Sequence, residues 1–347
     1  MEDIPPITER VRAARRAGLI YVSDRTPGIA RQRCGTRFRY FTPQRRIIRD
    51  PPTLRRIATL AVPPAYREVW ICRSARGHLQ ATGRDARGRK QYRYHQKWRE
   101  LRDCAKFERM AGFVAALPKL RRRLRHDLSL AGLPREKVLA AVVSLLSSSA
   151  ARIGNMEYAR DNHSFGITTL RNRHVSFSRG GRATLDFMGK GGVRHEIVVD
   201  QPRLAQIVRR CHALPGQHLF QYLDADGKRH AIDSGMVNAY LSDTMGEEFT
   251  AKDFRTWQAT IHAILLLKEL APPDPPSARA LRRTSARVLK GVARLLRNTP
   301  AVCRKSYVNP QLFVSWHDGT LTRLFRNVAH LNDRRGEQAL LRYLRNS

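Results

Sequence analysis

The chain has 347 residues, 42% of them hydrophobic, enough to fill the cores of two domains of ordinary size. Its 65 Lys and Arg against 29 Asp and Glu give a formal net charge of +36, more than solubility requires, which points to a polyanionic partner. No apolar run approaches the roughly 20 residues that span a bilayer, the first residues, with Glu2 and Asp3, hold no apolar leader, and five scattered cysteines without a Cys-x-x-Cys pair fit a reducing cytoplasm. In chain order, residues 8–18 predict a short basic helix. Arg then alternates with Phe38, Tyr40, Tyr92, Tyr94 and Trp98, an interleaving that favours a folded nucleic-acid surface over a disordered basic tail. Candidate strands fall around 38–40, 46–48, 69–72, 78–82 and 91–95, so that residues 1–98 read as a small β-rich domain. Its segment TGRDARGRKQYRY reads as a turn and strand dense in positive charge.

From Trp98 onward the period changes to 3.6, first through residues 101–132 and then through PREKVLAAVVSLLSSSAAR. The second domain, residues 99–347, therefore starts as helices. Strand-like segments follow at SFGITTL and HVSFSRG, and ATLDFMGKGGVRHEIVV predicts a hairpin with Lys190 at its tip. Helices return at 201–214, 234–246, 252–270 and, after the loop PPDPP, at 278–297, and the chain closes with two amphipathic segments, LTRLFRNVAHLN and GEQALLRYLRN. The fold class expected is α+β, a small β-rich N-terminal domain ahead of a larger, mainly helical domain with a small sheet.

A phosphate-cradling loop of the G-x-x-x-x-G-K-[ST] type is missing, since FMGKGG lacks the spacing and the following hydroxyl. DADGKRH has no Glu at the twelfth position of a calcium loop and reads as a β-turn. Carboxylates are few and dispersed, which disfavours a metal-dependent nuclease. What remains is phosphoryl transfer without a cofactor. It needs cationic donors around phosphorus, a proton donor for the leaving oxygen and a side-chain nucleophile, and this chain can supply all three.

Residues 83–110, GRDARGRKQYRYHQKWRELRDCAKFERM, resemble the signature that joins the two domains of the type IB DNA topoisomerases, particularly their small bacterial and poxvirus members. Five positions of the second domain match the family in order: Arg152 in ARIGN, Lys190 in FMGKGG, Arg255 in KDFRTW, Asn298 in RNTPAV and Tyr307 in CRKSYVNP. Asn298 precedes Tyr307 by nine positions, as in the small enzymes, whereas larger relatives insert a linker there. Many members carry His where this chain has Asn298; an amide can donate to a phosphate oxygen but has neither the charge nor the proton of an acid.

The resemblance implies a C-shaped clamp with a tyrosine recombinase-like catalytic domain. It implies relaxation of supercoiled duplex DNA through a 3′-phosphotyrosyl intermediate, strand rotation and religation, without ATP or metal. Tyr307 is the expected nucleophile, Lys190 the proton donor, and Arg152, Arg255 and Asn298 the ligands of the non-bridging oxygens. Expected DNA contacts are Arg84, Arg87, Arg89, Lys90, Tyr92, Arg93, Tyr94, Lys97, Lys252, Arg304 and Lys305, on duplex of little sequence preference, by a monomer in the cytoplasm associated with the nucleoid. One alternative is a tyrosine recombinase, which usually has His three residues before its second catalytic Arg, where this chain has Lys252. Another is a non-catalytic basic DNA-binding protein.

Overall fold

The computed structural model describes the chain except for residues 1–6, 36, 87, 89, 247–248, 273–276, 329, 332 and 347. It separates into two compact units, one ending at Lys106 and the other beginning at Phe107. Among the described residues no helix is long and apolar enough to cross a membrane.

The first unit contains helix α1 (Ile7–Arg16), strands β1 (Ile29–Cys34) and β2 (Arg37–Phe41), helix α2 (Pro51–Thr59), and strands β3 (Arg67–Ile71), β4 (Leu79–Arg84) and β5 (Lys90–Tyr94). The strands form one antiparallel sheet in the order β2-β1-β3-β4-β5, with Ile29, Ile57, Val69, Ile71 and Ala81 buried together. Two elements depart from expectation. Residues 46–48 are not a strand: Arg45 takes a φ of 59°, Thr42 N donates to Arg46 O at 2.9 Å to close a turn, and only one bridge, Phe41 with Ile47, remains. Helix α2 is an addition, started by the Asp50 carboxylate, which accepts from Thr53 N at 2.9 Å, with Pro51 in the first turn, where its missing N–H costs nothing.

Helix α3 (Gln96–Ser129) runs on into the second unit, where Phe113, Val114, Leu117, Leu120 and Leu124 bury one stripe and exposed Pro118 does not break it. The order continues α4 (Arg135–Ser149), α5 (Met156–Asn162), β6 (Val175–Phe177), β7 (Ala183–Met188), β8 (Arg194–Val199), α6 (Pro202–His212), β9 (Gln221–Leu223), β10 (Arg229–Ala231), α7 (Ser234–Met245), α8 (Ala251–Lys268), α9 (Ala278–Leu296), α10 (Pro300–Ser306), α11 (Gln311–His317), α12 (Thr320–Phe325) and α13 (Arg334–Asn346). Strands β6, β7 and β8 make an antiparallel sheet, and β9 pairs with β10 around the turn of DADGKRH. One continuous core runs through this unit, from Met110 to Tyr343. SFGITTL is not a strand. Residues 167–169 form a single 3-10 turn because their amides pair with the preceding loop, Ile167 N donating to Arg152 O at 3.0 Å and Thr168 N to Ile153 O at 2.7 Å.

Candidate active site

Arg255 lies in the second turn of α8, whose start is fixed by the Asp253 carboxylate, which accepts from both Thr250 N (2.9 Å) and Thr250 Oγ1 (3.0 Å). Arg255 is 3% exposed, and its guanidinium bonds backbone on two sides. Its Nη1 donates to Ala150 O, past the end of α4, and its Nη2 to Leu296 O at 2.9 Å, at the end of α9. Both acceptors are helix C-termini, the negative ends of aligned peptide dipoles, so a buried cation is stabilised there. The same guanidinium lies over the Tyr307 ring, 5.4 Å from its centroid.

Arg152 belongs to the loop after α4, which leaves that helix through Ala150 at a φ of 52°. The loop can press against residues 165–168 only because both partners are glycines. Gly154 has a φ of +106°, and a methyl on Gly166 would meet Gly154 N at 2.5 Å and Arg152 O at 2.6 Å. Burial, then the charge of Arg255, pull the Arg152 guanidinium below its ordinary pKa, while Tyr307 and Cys303 oppose the shift. Arg152 Nη1 and Arg255 Nε are buried donors with no acceptor among the described residues. Two such donors on neighbouring guanidiniums suit an anion with several oxygens.

Asn298 and Tyr307 bracket α10. Helix α9 ends with Arg297 at a φ of 49°, and Asn298 N donates back to Ala293 O at 2.9 Å. Thr299 then caps α10 by accepting from Val302 N at 3.3 Å, with Pro300 next in line. The Asn298 side-chain oxygen accepts from Thr299 N at 3.2 Å, which leaves its amide nitrogen as the donor end. Tyr307 follows the last turn, its N–H donating to Cys303 O at 3.0 Å, and its side chain is half-buried.

Lys190 is exposed in the turn between β7 and β8, as expected. The turn is closed by Gly189 N donating to Val193 O at 2.8 Å and Gly192 N donating to Gly189 O at 3.1 Å. Phe165 N donates to Met188 O at 2.8 Å, so one short segment, 165–168, is bonded both to the Arg152 loop and to the end of β7, two residues before Lys190. Sequence reasoning passed over His195, which pairs across the ladder with Phe187 and is 5% exposed. Burial, followed by the charges of Arg152, Arg255 and Arg297, pushes the His195 pKa down to about 4, so the imidazole is neutral near pH 7. The cross-strand register is the signal that finds it.

The residues expected to touch DNA do not share one role. Arg84 is held by Glu68 at 2.8 Å and Lys90 by Asp24 at 2.5 Å. Tyr92, 48% exposed, stacks on Tyr94 with centroids 6.0 Å apart, and the Lys90 ammonium lies 5.7 Å from the Tyr92 ring centroid. Arg93 bonds Ala61 O at 3.0 Å. Lys97, Lys252, Arg304 and Lys305 are exposed, and Arg87 and Arg89 lie outside the described residues. A larger basic surface went unread in ARALRRTSARVLKGVARLL: Arg279, Arg283, Arg287, Lys290 and Arg294 are exposed at intervals of three and four, on one face of α9. That stripe is about 22 Å long at 1.5 Å per residue, and it ends just before Asn298.

Residues 95–316 match the family model of the eukaryotic DNA topoisomerase I catalytic core, and residues 37–85 that of the bacterial DNA topoisomerase IB N-terminal domain. The DNA topoisomerase 1B of Acanthamoeba polyphaga mimivirus is 33% identical over 302 residues, covering 83% of this chain and 90% of the viral protein. The chain belongs to the type IB DNA topoisomerases. The DNA topoisomerase 1B of Vaccinia virus (strain Copenhagen) is 22% identical over 247 residues, 70% of this chain and 73% of the viral one. DNA topoisomerase 1 of Mycosarcoma maydis, 22% identical over 246 residues, matches 65% of this chain but only 24% of its own length. A type IB topoisomerase is an isomerase that relaxes DNA without ATP, and the excess of positive charge on this chain suits that polyanionic substrate.

Proposed function

We propose that Tyr307 is the nucleophile of a type IB relaxation cycle and that Arg152, Arg255, Asn298 and Lys190 are its catalytic partners. Tyr307 Oη attacks the scissile phosphorus. The new Oη–P bond forms as the P–O5′ bond breaks, the phenol proton leaves to solvent, and Lys190 protonates the departing 5′-oxygen. Arg152, Arg255 and Asn298 hold the non-bridging oxygens, where charge is redistributed at the transition state. One phosphodiester replaces another of similar energy, so the free 5′ end rotates under torsion and then attacks the phosphotyrosine to restore the duplex.

One observation carries this reading. The Arg255 guanidinium lies over the Tyr307 ring at 5.4 Å, its charge felt by the half-buried Arg152, and each guanidinium holds a buried donor with no acceptor among the described residues. The β-rich unit is proposed to complete a C-shaped clamp on the duplex, in keeping with the family resemblance, with a tyrosine recombinase-like catalytic unit. Most contacts of this monomeric, nucleoid-associated enzyme would be to phosphates, giving weak sequence preference and a steep loss of binding with salt.

The test uses negatively supercoiled plasmid with EDTA and no ATP. Wild type relaxes it and forms a covalent protein–DNA adduct, while Tyr307→Phe binds DNA but does neither. Equal relaxation by Tyr307→Phe would remove Tyr307 from the role, and robust strand exchange between marked duplexes would favour a recombinase instead.

A further inference from the structure

The hairpin that carries Lys190 has an unusual support. Residues 189–192 make a tight turn in which Lys190 is flanked by Gly189, Gly191 and Gly192. A lysine has four rotatable side-chain bonds, so a proton donor that must meet one leaving oxygen depends on how its backbone is held. Beneath the turn, the His195 imidazole stacks on the Phe187 ring, with centroids 5.1 Å apart and planes only 6° from parallel. The imidazole also fills the space beside Gly189, where an added methyl would lie 2.6 Å from Cδ2 and 2.7 Å from Nε2 of the ring. His195 is thus wedged between an aromatic of the neighbouring strand and the backbone of the residue immediately before Lys190.

We infer that His195 is the positioning residue for Lys190, its ring setting the height and tilt of the turn so that the ammonium meets the departing 5′-oxygen. This rests on the reading of Lys190 as the proton donor. An aromatic wedge need not be a histidine for stacking alone, but the site beyond it is crowded with cations. Because the imidazole is neutral, it fills that space without adding a fourth positive charge to Arg152, Arg255 and Arg297.

The leaving group supplies the test. A thiol is far more acidic than an alcohol, so a strand with sulfur in place of the scissile 5′-oxygen departs as a thiolate and needs no proton donor. Single-turnover cleavage is measured on oxygen-bridged and sulfur-bridged strands for wild type, His195→Ala, His195→Phe, Gly189→Ala and Lys190→Ala. We expect His195→Ala to slow cleavage of the oxygen-bridged strand by on the order of 10²-fold and to cleave the sulfur-bridged strand at close to the wild-type rate. His195→Phe, which restores a flat ring beside Gly189, recovers most of the loss. Gly189→Ala pushes the same ring from the other side and gives the same signature, which keeps the test open should His195→Ala fold poorly. Equal slowing on both strands, or no slowing on either, overturns the inference. If Lys190→Ala is rescued by sulfur and neither His195→Ala nor Gly189→Ala is, only the inference falls; if Lys190→Ala is not rescued, the proton-donor reading falls and takes the inference with it.

Discussion

Arg255 Nη2 donates to Leu296 O at 2.9 Å, two residues ahead of Asn298, so a candidate phosphate ligand on α8 also anchors the end of the helix that delivers another. Its second fork nitrogen does the same for Ala150, two residues ahead of Arg152. Removing the fork therefore strikes structure and chemistry together. Arg255→Lys keeps the charge, but one ammonium cannot span both carbonyls, and hydrogen bonds from a charged donor contribute about 1.5–3 kcal/mol each. The expected result is a lower melting temperature along with loss of covalent adduct. A native melting curve with normal adduct would contradict this double role.

Asn298 offers its amide nitrogen as a donor because its oxygen already accepts from Thr299 N. Asn298→His keeps a donor and should retain relaxation. Asn298→Asp sets an anion against the phosphate, and cleavage should fall by on the order of 10²- to 10³-fold, the usual loss when an oxyanion donor is removed. Rates of adduct formation under single-turnover conditions decide this, and equal rates for the Asp and His variants would take Asn298 away from the phosphate.

The basic face of α9 predicts a salt effect. If Arg283, Arg287 and Lys290 each neutralise one phosphate, changing all three to Gln should lower the slope of log K against log salt by about 0.9 for each phosphate left without its cation. The check is binding to a linear duplex across a salt series. An unchanged slope would show that the stripe lies off the DNA path.

Stability should fall in mild acid because of His195. Its folded pKa, about 4, lies below the ordinary value of 6.5, so the unfolded chain binds the proton first. The neutral buried form then stabilises the fold fully above about pH 6.5, and this contribution is lost as pH drops toward 4. A shift of that size corresponds to about 3 kcal/mol. Urea melts of wild type and His195→Phe from pH 7 to pH 4 test the sign, since the variant should lose less stability over that window. His174, His262 and His95 are shifted in the same direction and remain in both proteins.

Legibility in the sequence followed how strongly each element's pattern exceeded its surroundings. The hairpin of β7 and β8 was plain because Ala183, Leu185 and Phe187 alternate with more exposed residues, and α9 because its apolar stripe is uninterrupted. Strand β1 was invisible: only Ile29 of IARQRC is buried, and Arg31 is held by backbone, donating to Val62 O, Pro63 O and Tyr66 O. Helices α2 and α10 are short, yet both open on a polar cap followed by Pro, Asp50 with Pro51 and Thr299 with Pro300, and that signature could have announced them. The five motif positions were readable as a set. Two things were not: that Arg255 is tied to backbone, which depends on where two remote helices end, and that His195 lies among arginines, which depends on strand register.

Helix α10, seven residues long, is all that separates Thr299 from Tyr307. On a helix each residue added or deleted turns whatever follows by about 100° and moves it by about 1.5 Å. A single insertion there would swing the phenol away from Arg255 while leaving every side chain of the set intact. The aim of the proposed nucleophile is therefore kept by arithmetic as much as by chemistry, and the spacing between these positions constrains the chain as firmly as their identities do.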